Sequence, residues 1–240
     1  MCIRKYDGAS VECLYAPDLR EDTKELTLVG EEFIHCKALR LHVSSRVILT
    51  NGQGLCAVAS LGAFDKNGVK AQVIEVLKGY AEIGKKFGLA LGILDNRERM
   101  EFAVEKAVEL GITDFFPLAC QRSQKTSVPR TRLEAKILAA VKQSRRSVLP
   151  KLHLIMTVKQ FLETAVSAFD TLVIADTEGT SETPESSSVV IAVGPEGGFS
   201  SEENALLRSN PQCRLLRLAP RRLRSETAVI AACAVVASAW

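Results

Sequence analysis

Along the first eighty positions the apolar residues come in short runs separated by Asn-Gly pairs. Arg46-Val47-Ile48-Leu49-Thr50 stops at Asn51-Gly52, a turn signal, and Gly54 to Ser60 reads as the next strand. Asn67-Gly68 marks a second turn, between strands near 57–64 and 69–77. Short strands with such punctuation predict a small β-barrel. After Lys78-Gly79 the pattern changes. Phe87 to Leu94 is an apolar run of strand length, and Glu101 to Leu110 carries apolar residues at helical spacing until Gly111 stops it. Ile112 to Leu118 reads as a strand, 131–146 as a basic amphipathic helix ending before Pro150, and Thr157 to Ala168 as a helix. Strands follow at Thr171 to Ala175 and Val189 to Val193, around a Ser/Thr/Glu-rich loop from Thr177 to Ser188. Ser201 to Arg208 is a short helix, Leu215 to Leu218 a strand, and Ser225 to Ala239 a nearly all-apolar helix capped by Ser225. Apolar strands alternating with helices predict an α/β layer structure on a mostly parallel, buried sheet. The change of pattern puts a domain boundary near residue 77, giving 1–77 and 78–240.

Charge sharpens this division. The net charge of +3 conceals a basic block at 119–153, with nine basic residues and one acidic. Residues 154–213 carry two basic and nine acidic, and 214–240 five basic and one acidic. Two basic blocks around an acidic one are compatible with a local polyanion-binding patch, or with a solvated helix face over 131–146. At 240 residues and 47% hydrophobic composition, a disordered chain is excluded. No run of 18 apolar residues predicts a membrane span, and the charged opening Met1-Cys2-Ile3-Arg4-Lys5-Tyr6-Asp7 does not read as a secretory signal. Seven cysteines without a C-x-x-C pair, with three scattered histidines, argue against zinc or a disulfide framework, so a cytoplasmic location and no metal are expected. His35, His42 and His153 read as surface or structural, Cys233 as core, and Trp240 as packing on a neighbouring helix or a second subunit.

Two segments carry candidate chemistry. Val193-Gly194-Pro195-Glu196-Gly197-Gly198-Phe199-Ser200 leaves a strand and starts a helix. Its glycines either let backbone N–H groups approach a ligand or simply satisfy the turn. It matches neither a Walker loop nor G-x-G-x-x-G, and the chain has no G-x-S-x-G elbow. The second segment, Leu218-Ala219-Pro220-Arg221-Arg222-Leu223-Arg224-Ser225-Glu226-Thr227-Ala228, sets Arg224 beside an apolar helix. There it either binds a substrate or pairs with Glu226 or Glu196.

Together these segments resemble the ribosomal small-subunit RNA methyltransferase E family. Three further stretches are similar to that family: Glu105-Lys106-Ala107-Val108-Glu109-Leu110-Gly111, Arg122-Ser123 with Lys125, and Gln143-Ser144-Arg145-Arg146-Ser147-Val148-Leu149-Pro150. His35 with Ala38-Leu39-Arg40-Leu41 resembles the H-x-x-x-L-R of its RNA-binding domain. The chain departs from the pattern at Cys36, at Ser44-Ser45 in place of Gly-Asp, at Ala219 in place of glycine, and at Arg222. The resemblance implies a PUA-like N-terminal barrel, a C-terminal SPOUT α/β domain with a deep trefoil knot, and a homodimer. It implies S-adenosylmethionine-dependent methylation of N3 of a uridine in 16S rRNA of the small ribosomal subunit. The cofactor would lie against Ala175, Gly194, Gly197, Gly198, Leu218, Leu223, Ser225 and Ala228. Arg224, Glu196 and Arg146 become the catalytic candidates, and Arg40, Arg122, Lys125, Arg130, Arg132 and Gln143 the RNA-binding ones. Two rivals are a non-catalytic RNA-binding assembly factor and a methyltransferase of the same fold acting on another RNA.

Overall fold

A computed structural model of the chain describes residues 11–182 and 186–239, so the opening segment and Trp240 lie outside the described residues. The chain divides into two units. The first holds residues up to Glu82 together with Val141–Leu149, and the second holds Ile83–Ala140 and Pro150 onward.

In the first unit, β1 (Cys13–Tyr15), β2 (Glu25–Leu28), α1 (Gly30–Ala38), β3 (Arg46–Thr50), β4 (Leu55–Phe64) and β5 (Val69–Lys78) follow in order. The strands form one sheet in the order β1-β3-β4-β5-β2. Only the β1–β3 pair is parallel, and β3, β4, β5 and β2 run antiparallel in turn. Among the described residues, strands β1 and β2 stand at the edges of this sheet and no pairing closes it into a ring. One core gathers Leu14, Leu19, Phe33, Val47, Leu49, Leu61 and Val69. Both Asn-Gly turns are present. Asn51 is buried, and its Oδ1 accepts from the N–H groups of Gln53 (2.7 Å) and Leu55 (3.1 Å). Asp65 does the same for Asn67 and Gly68. Ser44, standing where the family pattern has glycine, adopts a left-handed φ of +70° and donates its N–H to Leu61 O at 2.7 Å. Ser45 Oγ accepts from the His42 N–H at 3.0 Å, as an aspartate oxygen could there.

The sequence boundary at 77 separates 141–149 from the unit that contains it. These residues return to the first turn, where Gly54 N–H donates to Ser147 O and Leu149 N–H to Gly52 O, each at 2.8 Å.

The second unit contains β6 (Lys86–Gly92), α2 (Arg97–Glu109), β7 (Asp114–Leu118), most of α3 (Arg130–Gln143), β8 (Lys151–Leu152) and α4 (Val158–Thr164). It continues through a 3₁₀ turn at Val166–Ala168 to β9 (Thr171–Thr180), β10 (Ser188–Val193), α5 (Ser201–Ser209), β11 (Cys213–Leu216) and α6 (Ser225–Ser238). Its six strands lie in the order β11-β9-β10-β6-β7-β8, and every adjacent pair is parallel. That is the buried parallel sheet expected from the apolar runs at 87–94 and 189–193. Phe116, Phe161, Phe169, Leu172, Val190 and Leu207 build the core on one side, and α2 packs against α6. Cys233 is fully buried.

Three details depart from the pattern reading. β9 runs through the polar stretch to Thr180, because its far end pairs with β11 at Leu216 and the Arg217 N–H donates to Thr180 O at 2.7 Å; Arg208 pairs with Asp176 (2.6 Å) and Glu178 (2.7 Å) beside it. α3 stops at Gln143, since Arg145 turns left-handed (φ +57°) and the Arg146 N–H closes back on Val141 O. Arg224 rather than Ser225 is the capping residue of α6, with no side-chain cap bond. No helix among the described residues is long and apolar enough to cross a membrane.

Candidate functional site

A cavity of about 620 Å³ opens at the carboxyl ends of β9 and β10. That is where parallel α/β sheets place ligands, and the volume falls within the ~300–1,000 Å³ of small-molecule sites. Ile174, Ala175, Asp176 and Thr177 line it from β9, and Val193, Gly194, Pro195, Glu196, Gly198 and Phe199 from the turn after β10. Arg222, Leu223 and Arg224 approach before α6, joined by Ser225 and Ala228 on its first turn and by Arg99 on α2. A smaller cavity of about 150 Å³ shares Ala175, Leu223 and Ala228 and adds Leu218 and Ala219.

The glycine-rich turn has both a steric and a conformational reason. A Cβ at Gly194 would lie 2.9 Å from Phe199 N, too close for any side chain. Gly198 sits at φ +69°, the left-handed region that glycine occupies without penalty. Behind the turn, a capping box fixes α5: Ser200 Oγ accepts from the Glu203 N–H (3.1 Å) and Glu203 Oε2 from the Ser200 N–H (2.8 Å). The capping box thus ties the end of the turn to α5.

Of the eight expected cofactor residues, Ala175, Gly194, Gly198, Leu223, Ser225 and Ala228 line the main cavity and Leu218 the smaller one. Gly197 is exposed and lines neither; its carbonyl accepts from Arg122 Nη1 at 3.1 Å.

Among the catalytic candidates, Glu196 and Arg224 come together on the cavity wall. The Glu196 carboxylate receives the Asp95 N–H at 3.2 and 3.3 Å, and its backbone carbonyl accepts from Arg222 Nη2 at 3.2 Å. No ion pair with Glu196 or Glu226 engages Arg224 among the described residues, so its exposed guanidinium is available to a ligand. Glu226 pairs instead with Arg99, at 3.7 Å.

Arg146 is not among the residues that line the cavity. It is 1% exposed within the first unit, and its Nη2 donates to Glu82 Oε2 at 2.7 Å. Glu82 also accepts from the N–H groups of Ser147 (2.9 Å) and Val148 (2.8 Å). A guanidinium so enclosed holds the 141–149 return in place.

The RNA-binding candidates divide in the same way. Arg122 and Lys125 are exposed on a segment packed against the turn, with Lys125 Nζ 2.6 Å from Asp95 O. Arg130 pairs with Glu134 at 2.8 Å and donates to Leu152 O at 3.0 Å. Arg132 clamps the buried Glu101 carboxylate through Nε and through Nη2 (3.2 Å), and the paired guanidinium holds that carboxyl below its ordinary range. These two arginines are committed to carboxylates, which reduces the free charge of the basic block. Arg40 and Gln143 are exposed in the first unit. His153 stacks on Phe116 and bonds Asp114 at 2.8 Å, a structural role.

Sequence reasoning missed Arg99, Asp176, Thr177 and Asn204 on the cavity wall. Asp176 and Thr177 lie on β9 just past its pairing with β10, where the rule that ligands sit near the carboxyl ends of parallel strands could have found them. The cavity therefore offers a rigid backbone turn, apolar walls and a guanidinium near a carboxylate. The nearby thiol of Cys120 is no nucleophile, since burial pushes it up to about 12.

This fold and cavity define an RNA methyltransferase: residues 82–237 match the model of the RNA methyltransferase domain. A ribosomal RNA small subunit methyltransferase E from Mesomycoplasma hyopneumoniae is 32% identical over 210 residues, covering 83% of this chain and 92% of the relative. The protein of the same name from Bacillus subtilis is 28% identical over 90% of this chain and 91% of its own length. The chain belongs to the ribosomal RNA small subunit methyltransferase E family. The crystal structure of the Neisseria gonorrhoeae family member, bound to S-adenosyl methionine, superposes with a TM-score of 0.86 at 25% identity, covering 96% of this chain and 98% of that one. A Legionella pneumophila methyltransferase, also in complex with S-adenosylmethionine, gives 0.82 at 28% identity over 96% and 98%.

Proposed function

We propose that this protein transfers a methyl group from S-adenosylmethionine to N3 of a uridine in the 16S rRNA of the small ribosomal subunit. The cytoplasmic location, the PUA-like character of the N-terminal sheet and a trefoil knot in the C-terminal unit rest on family membership. The observation that carries the activity is the placing of Arg224, without a carboxylate partner, beside Glu196 on the wall of a cavity floored by the glycine-rich turn. The residues fit the cofactor: the open space where a Cβ would stand at Gly198 leaves the turn's backbone bare toward a ligand, and Ile174, Val193, Leu223 and Ala228 supply apolar contact. A homodimer is supported by α6, whose Ile230, Ala231, Ala234 and Val235 are apolar yet only half-buried.

When bound, S-adenosylmethionine supplies an electrophilic methyl group on a sulfonium sulfur. The rest is the work of the chain. The turn and the first residues of α6 fix the donor's orientation, which matters most because the transfer needs alignment rather than a covalent nucleophile. N3 of uridine carries a proton that must leave as the new N–C bond forms. Arg224 stabilises the negative charge that develops on the base oxygens, with its planar fork aimed from the α6 cap. Glu196, held by the Asp95 N–H, is the carboxylate placed to accept the proton. No residue of the buried Arg146–Glu82 pair takes part.

Calorimetry with S-adenosylmethionine tests the site. The wild-type protein binds it, and Gly194→Ala, whose methyl group would meet Phe199 N at 2.9 Å and shift the turn, lowers affinity at least tenfold when measured well below the variant's own melting temperature. Unchanged affinity in a folded variant removes the turn from the site. Absence of binding in the wild type favours the non-catalytic assembly factor.

A further inference from the structure

The segment Gln121–Lys125 is exposed and basic, yet every one of its residues is anchored. The Gln121 N–H donates to Glu203 Oε1 at 2.9 Å, on the capping box of α5. Arg122 Nη1 reaches Gly197 O on the glycine-rich turn at 3.1 Å. Ser123 Oγ donates to Ile93 O at 3.0 Å, the Gln124 N–H to Asp95 Oδ1 at 3.1 Å, and Lys125 Nζ to Asp95 O at 2.6 Å. Asp95 is therefore bonded in two directions. Its side chain and carbonyl hold Gln124 and Lys125, while its own N–H is given to the Glu196 carboxylate on the cavity wall. All of these residues belong to the second unit.

We propose that Asp95 is a positioning residue that couples the cofactor cavity to the basic segment 121–125, so that filling the cavity orders the arm that meets the RNA. The physical basis is a shared set of bonds. Glu196 and Gly197 lie on the turn that a ligand at Gly194 and Gly198 would immobilise, and Arg122 and Asp95 are bonded to those same two residues. Rigidifying one side lowers the entropy the other side loses on binding, which is positive cooperativity without a large structural change. Asp95 serves here as a hydrogen-bond acceptor for a backbone N–H rather than as a counter-charge. An asparagine, which keeps Oδ1, therefore preserves the acceptor for Gln124, and an alanine removes it while the backbone bonds of Asp95 to Glu196 and Lys125 stay in place.

The proposal rests on the cofactor reading of the cavity, and the experiment separates the two. Hydrogen exchange is followed by mass spectrometry on the full chain with and without saturating S-adenosylhomocysteine, which carries no methyl to transfer; calorimetry with the same ligand runs in parallel. In the wild type, the ligand slows exchange in peptides spanning 120–126 by about tenfold. Asp95→Asn retains that slowing. Asp95→Ala binds the ligand within about threefold of wild type but shows at least a threefold smaller slowing at the Gln124 amide, while peptides from 193–200 remain protected. A purely structural role would not give this split, because it would lower protection throughout, with and without the ligand. If Asp95→Ala fails to fold, Lys125→Met removes the bond to Asp95 O from an exposed position and reduces the slowing at least threefold. Binding with no change at 120–126 in the wild type overturns the coupling and leaves the cofactor site standing. No binding in the wild type overturns the cofactor reading and the coupling with it.

Discussion

Removing the Glu82 carboxylate tests the assignment of Arg146 as structural. Glu82 accepts from Arg146 Nη2 at 2.7 Å and from Arg146 Nε at 3.2 Å, and from the N–H groups of Ser147 and Val148. Arg146 and Glu82 side chains are 2% and 10% exposed. Glu82→Ala takes away the carboxylate that neutralises an enclosed guanidinium, a change that costs about 3–5 kcal/mol. Against a domain stability of about 5–15 kcal/mol this is a large fraction. With a urea slope of ~2 kcal/mol/M, a loss of ~4 kcal/mol moves the unfolding midpoint down by roughly 2 M. The double variant Glu82→Leu with Arg146→Met replaces the pair by apolar groups of similar size, and such replacements are close to neutral. It removes the unpaired charge but leaves the Ser147 and Val148 N–H groups without their acceptor, at about 1–3 kcal/mol each, so it recovers only part of the stability; assayed folded, it keeps methyl transfer within about threefold. A stable double variant without activity would refute the reasoning and return Arg146 to the reaction, and a midpoint shift under about 0.5 M for Glu82→Ala would refute the energetics.

Arg224→Lys keeps the charge but loses the planar fork, so turnover falls at least a hundredfold (about 2.7 kcal/mol) while affinity for RNA stays near normal; unaltered turnover in single-turnover assays demotes Arg224 to a surface cation. The Glu101 carboxyl is held below its ordinary value of 4.5, first by its hydrogen bond from Arg132. A carboxyl whose folded value is depressed contributes stability that is present above its unfolded value and lost as pH falls through the folded one. Glu101→Gln therefore destabilises the protein at pH 7 and narrows the gap to wild type below about pH 4; a gap in unfolding midpoint that is constant from pH 7 to pH 3 contradicts this.

Much of the second unit was legible because a parallel sheet buried on both faces writes its strands as continuous apolar runs, as at Phe87–Leu91 and Val189–Val193. The end of β9 was not, since its polar residues are kept in strand by backbone pairing with β11 more than thirty positions later, which no local pattern carries. β1 and β2 are three and four residues long and stand at sheet edges, too short for periodicity to register. The return of 141–149 to the first unit depends on Glu82, 64 positions from Arg146, and a non-local ion pair leaves no trace in spacing. For the site, the glycine-rich turn and Arg224 were visible as motifs. The commitment of Arg132 to Glu101 and of Arg130 to Glu134 was not, because a count of charges cannot tell a paired arginine from a free one. Arg99 was overlooked for the opposite reason: it sits on an ordinary amphipathic helix, and only the fold brings that helix to the cavity.

The most direct test of the central claim is nucleoside mass mapping of 16S rRNA from cells lacking the gene for this protein, before and after its return. The account predicts that one position carries 3-methyluridine in the parent, unmodified uridine in the deletion strain, and 3-methyluridine again when the wild-type gene is restored. The Arg224→Lys gene should restore it poorly. An identical 16S modification pattern in all strains would contradict the account, as would a missing methyl group that maps to a transfer RNA.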